Sequence, residues 1–286
     1  MTKFIDFVRA RGAAEAYDYD TLYDWSVREL ESFWPAVWDF CGIVSDGTGD
    51  TRWKSVIIGR DRVAPPHPEL GPRWFDGARV NFAENLLKWR DDRAAIVSWN
   101  EEGRQRSLSF AELYEEVARV SAALRSYGID AGDRVAGFMP NLPETVVAML
   151  AAASIGAIWS SCSPDFGVQG VLDRFGQIGP RVLFCADGYR YAGKELDSLD
   201  RVREIMHRIP SIERVVVVPY LREQSNLNGI PRGVPWPDLS NLEPSTSNLD
   251  FQRLPFAHPL YIMYSSGTTG LPKCMVHGAG GTLLQH

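Results

Sequence analysis

Histidine and cysteine are scarce, five and four residues in a chain of 286. The cysteines, Cys41, Cys162, Cys185 and Cys274, lie far apart with no CxxC pair and no histidine cluster beside them. The sequence therefore suggests neither a zinc site nor a disulfide framework, and the expectation is reduced thiols in a cytoplasmic protein with no bound structural metal. Positive charge is in deficit as well: 30 Lys and Arg against 36 Asp and Glu leave a net charge of −6. A phosphodiester backbone needs a basic face, so nucleic acid is not an expected partner. Long apolar runs are missing. The longest, Val146 to Trp159, is interrupted by Ser154 and falls short of the roughly 20 residues that span a bilayer, which predicts a buried helix and no membrane partner. The start of the chain mixes Lys3, Asp6, Arg9 and Arg11 with short apolar pieces, unlike the uninterrupted apolar region of a secretory signal, so it is expected to be retained. No internal repeat is visible, and nothing in the sequence sets the oligomeric state.

What is present is globular composition, 45% hydrophobic and 23% charged. The first ninety residues are rich in tryptophan (Trp25, Trp34, Trp38, Trp53, Trp74, Trp89). Leu22, Trp25, Leu30, Phe33 and Val37 recur near helical spacing, with Pro35 expected to kink or restart that helix. Pro65, Pro66, Pro68 and Pro72 predict an extended connector. A boundary is expected near residue 90, dividing an N-terminal helical cap (1–90) from a second domain (91–286).

Beyond the boundary, short apolar strands alternate with amphipathic helices, beginning with Ala94 to Trp99. The following helix carries a capping box, Ser109 with Glu112, a stripe of Leu113, Val117, Val120, Leu124 and Tyr127, and Gly128 as its stop. Strands are predicted at Arg134 to Met139, Ile158 to Ser161, Arg181 to Cys185 and Val215 to Val218. Helices are predicted from Pro143 to near Gly156, from Val168 to Ile178 and from Leu199 to Arg208. Such alternation implies an α/β fold with a doubly wound, mainly parallel sheet. Residues 222 to 258 break the rhythm and read as a long surface excursion before a return strand, Leu260 to Tyr264.

Ser265-Ser266-Gly267-Thr268-Thr269-Gly270-Leu271-Pro272-Lys273 follows that strand directly. Glycine permits close backbone approach, hydroxyls donate, and a lysine offsets negative charge, so the stretch suits a polyphosphate. It lacks the Gly-Lys-Ser/Thr order of a Walker A loop. By composition alone an exposed Ser/Gly/Thr turn would be the better reading. The ordered string alters that, because Ile262 through Lys273 resembles continuously the signature of the adenylate-forming superfamily of acyl-CoA synthetases, luciferases and peptide-synthetase adenylation domains.

Within that superfamily the chain is similar to the short-chain acid:CoA ligases. The likeness is carried by Tyr264 to Gly281, Arg73 to Ala78, Asn81 to Leu87, Gly132 to Val135 and a Trp-rich segment, Trp25 to Phe40, that looks like their N-terminal cap. The local wording is nearest the branch that takes acetoacetate, with acetate or propionate as the alternative acid. The resemblance implies ATP, Mg2+ and CoA as ligands, attack of a carboxylate on the α-phosphate, and release of AMP by the CoA thiol. By the same resemblance Ser265, Ser266, Gly267, Thr268, Thr269, Gly270 and Lys273 would hold the ATP phosphates. Asp187 to Lys194 looks like a CoA phosphate loop, making Arg190 and Lys194 candidate CoA contacts. It departs from the family pattern by a Lys at the second basic position and one extra residue, and a plain solvated loop is an equal reading. His277, Asp133 and Arg134 are expected to be structural. The family's remaining catalytic residues lie downstream of the loop, so the sequence predicts an N-terminal part that cannot complete adenylation alone. A non-catalytic nucleotide-binding or interaction module, and a kinase-like phosphotransferase, are the readings from other classes.

Overall fold

The computed structural model describes residues 1–12, 17–62, 71–240, 248–266 and 270–286. The chain forms two compact units, one of Met1–Val80, Arg253–His258 and Ala279–His286, the other of Asn81–Gln252 and Pro259–Gly278.

The first unit begins with three helices, α1 (Thr2–Ala10), α2 (Tyr19–Arg28) and α3 (Leu30–Cys41). Asp18 caps α2 by accepting from the Thr21 N–H at 2.9 Å, and Gly42 ends α3 in the left-handed conformation, φ 59°. The predicted single helical stretch is thus divided, but at Glu29 rather than Pro35, which lies inside α3. Aromatic packing holds α3 through the proline: Trp38 is buried, its ring centroid 5.0 Å from Trp53 and 4.9 Å from Phe75. Short strands β1 (Ser55–Ile58) and β2 (Arg73–Asp76) pair antiparallel, and β3 (Arg79–Val80) follows. Pro65, Pro66 and Pro68 of the expected connector lie outside the described residues.

The second unit opens with α4 (Phe82–Leu86), then β4 (Ala94–Asn100) and β5 (Gly103–Ser109), which pair antiparallel as a separate hairpin. This corrects the reading of Ala94 to Trp99 as the first strand of the parallel sheet. Gly103–Ser109 is mostly exposed and polar, so its strand was not readable from apolar pattern. α5 (Phe110–Ser126) carries the expected box: Ser109 N–H donates to Glu112 Oε2 at 2.8 Å, and Glu112 N–H donates to Ser109 Oγ at 3.2 Å. β6 (Arg134–Phe138), α6 (Pro143–Ser154), β7 (Ile158–Cys162), α7 (Val168–Ile178) and β8 (Val182–Ala186) follow. Pro143 opens α6 in its first turn, where its missing N–H costs nothing. The long apolar run proves to be the body of α6 together with the start of β7.

A hairpin, β9 (Gly188–Tyr191) and β10 (Lys194–Asp197), then precedes α8 (Leu199–Arg208) and β11 (Arg214–Val218). The expected excursion contains β12 (Gly233–Pro235) and α9 (Trp236–Ser240); a three-residue edge strand ending in proline leaves little periodic signal. The chain next supplies β13 (Leu254–Pro255), paired with β3, then β14 (Pro259–Ser265) and β15 (Lys273–Gly278), and ends in α10 (Ala279–Gln285).

The main sheet has seven strands in the order β12-β11-β8-β6-β7-β14-β15. All neighbours are parallel except β15, which runs antiparallel to β14 at one edge. One face packs Ala136, Phe138, Leu183, Cys185, Val215 and Val217 against Val171 and Phe175 of α7 and Val202 and Ile205 of α8. On the other, Phe184 lies 6.2 Å from Trp159 and 6.0 Å from Trp236. Helices therefore cover both faces of the central strands, as the apolar β8 and the Val215–Val218 run of β11 require. Among the described residues no helix is long and apolar enough to cross a membrane.

Candidate functional site

Because β11, β8, β6, β7 and β14 are parallel, their carboxyl ends share one sheet edge, the edge at which open α/β sheets take ligands. The Ser/Gly/Thr stretch leaves this edge from β14. Ser265 is the last residue of β14 and Lys273 the first of β15, and the two are register partners across the antiparallel pair. The stretch is thus the connection of a hairpin with strand residues at both ends, where the sequence predicted a loop running through Lys273. Ser266, Gly270 and Lys273 are exposed, and Gly270 takes φ 126°, a backbone conformation that side chains disfavour. Gly267, Thr268 and Thr269 lie outside the described residues.

The hairpin stands on a buried polar base that sequence reasoning did not reach. The Ser160 hydroxyl of β7 donates to the Ile262 carbonyl at 2.9 Å and lies 3.0 Å from the Tyr264 hydroxyl. Burial pushes the Tyr264 phenol well above its ordinary range, so it remains neutral. Arg174 of α7 stands 4.1 Å from the Phe166 ring centroid and 5.7 Å from that of Tyr264. Gln177, one turn further along α7, donates from Nε2 to the Pro272 carbonyl at 2.9 Å. α7 therefore braces both arms of the hairpin. Nothing local marks Arg174 or Gln177 in the sequence, since each reads as an ordinary polar position of an amphipathic helix.

The second predicted stretch sits at the same edge, at the end of β8. Three strand spacings of roughly 4.8 Å separate β8 from β14, about 14 Å in all. Asp187 is fully buried. Its carboxylate accepts from the N–H groups of Tyr220 and Leu221 at 2.9 Å and Arg222 at 3.2 Å, which ties the chain leaving β11 to the end of β8. Arg190 is on β9 and Lys194 on β10 of the hairpin that follows, on either side of its Ala192-Gly193 turn. Arg190 pairs with Glu102 and, at 2.9 Å, with Glu195; Lys194 is exposed. Both Glu101 oxygens accept backbone N–H groups of the turn, Ala192 at 2.7 Å and Gly193 at 2.9 Å. Those bonds, Gly193 first, hold the Glu101 carboxyl below its usual range.

Asp133 and Arg134 sit at the opposite edge, where Arg134 donates to the Ile178 and Gly179 carbonyls and Asp133 pairs with Arg181 at 2.6 Å. His277 faces Tyr261 across β14 and β15, ring centroids 5.1 Å apart, and its buried Nε2 has no partner among the described residues. Among the described residues no group of three or more His, Cys, Asp or Glu is placed to hold a metal ion.

The family model described as AMP-binding enzyme matches residues 82–285, well over half of the chain. The chain belongs to the AMP-binding enzyme family. As an AMP-binding enzyme chain it is 47% identical over 288 residues to an acetoacetyl-coenzyme A synthetase of Rhizobium meliloti strain 1021, covering 100% of this chain and 42% of that protein. It is 39% identical over 297 residues to a malonamoyl-CoA synthetase of Penicillium aethiopicum, covering 100% of this chain and 40% of that one. The structure of acetoacetyl-CoA synthetase from Streptomyces lividans aligns with a TM-score of 0.88 at 38% identity, over 99% of this chain and 42% of the other. This AMP-binding enzyme chain therefore spans about two fifths of the length of the relatives it matches.

Proposed function

We propose that this chain serves an ATP-dependent acid:CoA ligase that converts acetoacetate, ATP and CoA into acetoacetyl-CoA, AMP and pyrophosphate through an acyl-adenylate. The observation that carries the reading is the likeness, over the whole of this chain and 42% of the relative, to an acetoacetyl-coenzyme A synthetase, with the hydroxyl- and glycine-rich stretch at the carboxyl end of β14. A second relative is named a malonamoyl-CoA synthetase. Both acyl groups carry a carbonyl at the β-carbon, which favours a β-carbonyl acid over acetate or propionate.

In this reading Ser265, Ser266, Thr268 and Thr269 donate to phosphate oxygens, Gly267 and Gly270 permit close approach, and Lys273 offsets charge beside Ser265. Attack by a carboxylate on a polyphosphate brings anion to anion, so fixed donors and a cation lower the barrier electrostatically. Mg2+ reaches this stretch on the phosphates of ATP. Arg190 and Lys194 receive the phosphates of CoA. The partners are small molecules, and four scattered cysteines with no CxxC pair favour the cytoplasm for the reaction.

The test joins this chain to the remainder of the Rhizobium relative and measures acid-dependent ATP–pyrophosphate exchange, beside the 286-residue chain alone. Exchange with acetoacetate, lost on changing Thr268 and Thr269 to alanine, is the expected result for the joined protein, with little or none for the chain alone. Faster exchange with acetate or propionate would refute the β-carbonyl preference, and transfer of the γ-phosphate to give ADP would refute the adenylation chemistry.

A further inference from the structure

Two hairpin tips of the second unit meet, and the contact between them has the form of an anion bound in a receptor. The receptor side is the β9–β10 turn. Ala192 and Gly193 both take positive φ, 51° and 72°. This is the geometry of a tight two-residue hairpin turn, and it leaves both N–H groups free of the ladder. Arg190 precedes the turn and Lys194 follows it. The anion side is the tip of the β4–β5 hairpin, Glu101-Glu102. Glu101 spans the two turn N–H groups, one with each carboxylate oxygen, and Glu102 takes one arm of the Arg190 guanidinium.

The tip is itself positioned. Asn100 Oδ1 accepts from the Glu102 N–H at 2.8 Å and from Gln105 Nε2 at 2.9 Å. Glu101 and Arg190 also line a cleft of about 340 Å³ that includes Trp99, Arg106, Glu144 and Tyr220. Arg106 is engaged by Glu144 at 2.8 Å and Glu116 at 3.7 Å, while Lys194 has no ion pair among the described residues. With the two carboxylates in place, Glu101, Glu102 and Glu195 outnumber Arg190 and Lys194. With them withdrawn, Arg190 and Lys194 outweigh Glu195, and two backbone donors point at the vacated position.

We propose that Glu101 and Glu102 form an internal anion plug, occupying with carboxylates the site that the phosphomonoester of CoA takes on binding, so that CoA must displace the β4–β5 tip. The inference rests on the reading of Arg190 and Lys194 as phosphate contacts and adds the regulation of that site. A phosphomonoester carries about −1.5 to −2 charges at neutral pH and three acceptor oxygens. One such group engages the turn N–H pair and the guanidinium together, work that here takes two separate side chains. The depressed titration of Glu101 agrees with a carboxylate that is charged while it plugs the turn. A plug closed about nine-tenths of the time lowers apparent affinity about tenfold, because ligand binds only the open fraction.

The experiment titrates the 15N-labelled chain with CoA, dephospho-CoA and inorganic phosphate, following the amides of Ala192 and Gly193. It compares the parent, the double variant Glu101→Gln with Glu102→Gln, and the double variant Arg190→Ala with Lys194→Ala. All four positions are at the surface or partly so, and an unchanged amide spectrum elsewhere verifies the fold. The proposal expects the glutamine variant to bind CoA about tenfold more tightly than the parent, with the gain lost for dephospho-CoA and with inorganic phosphate shifting the same two amides. Equal affinity in parent and glutamine variant, with weaker binding in the alanine variant, overturns the plug and leaves the CoA reading standing. Unchanged CoA binding in the alanine variant overturns the CoA reading and the plug with it. A gain that persists with dephospho-CoA overturns the phosphomonoester as the competing group.

Discussion

Position 137, in the middle of β6, has no room for a side chain. A Cβ there would lie 2.6 Å from Cζ2 and 2.7 Å from Cη2 of Trp159, whose ring is buried on the neighbouring strand. The tryptophan fills the space that glycine leaves, and neither can move without disturbing the sheet. Gly137→Ala should therefore cost about 1–3 kcal/mol, the usual range for overpacking a dense core. Gly176 is the counter-case. It lies in α7, is exposed, and a Cβ added there meets nothing within 4 Å. Gly176→Ala should stabilise by about 0.5–1 kcal/mol, since alanine loses less backbone entropy in a helix. Urea midpoints moving in opposite directions would bear out both readings; a neutral Gly137→Ala would mean that Trp159 has an alternative position.

At the scale of elements, the connections at the carboxyl edge are held by particular buried groups more than by strand pairing. Asp187 is the clearest, an unexposed carboxylate joining the end of β8 to the backbone that leaves β11. Asp187→Ala leaves three N–H groups without their acceptor, an expected loss of about 1–3 kcal/mol, with faster hydrogen exchange at Tyr220, Leu221 and Arg222. Unchanged exchange at those amides would show that they find other acceptors. The helices at this scale were legible in advance because their signals are local. The Ser109–Glu112 box, Pro143 at the start of α6 and Gly179 in the left-handed conformation after α7 all stand as their residue types require. β4 was assigned to the wrong sheet, since a short apolar strand looks the same whichever strand it pairs with, and its partner β5 went unread. β15 went unread because Lys273–Gly278 is polar at its start and mostly exposed.

For the molecule as a whole, several carboxylates share one electrostatic condition. Glu101, Glu112 and Glu213 are all held below the ordinary glutamate value of 4.5, Glu101 and Glu112 by backbone N–H donors first and Glu213 by the Arg181 guanidinium first. A depressed folded-state pKa gives stability that is present above the unfolded value and lost as pH falls through the folded one. The urea midpoint should therefore be steady near neutrality and decline below about pH 4.5, and Glu112→Gln should flatten part of that decline. A midpoint that rises on acidification would contradict the assignment. The sequence by itself determined where α5, α6, α7 and α8 lie, that strands and helices alternate, and which string of residues follows β14, because each of these is written within a few neighbouring positions. Only the tertiary structure decided that β14 lies beside β7, that Arg174 and Gln177 brace the hairpin from α7, and that Glu101 fills the turn at Ala192 and Gly193. Each of those contacts joins residues far apart in the chain, and their meeting is set by how strands, helices and hairpins pack around an open sheet, which no local pattern of side chains encodes.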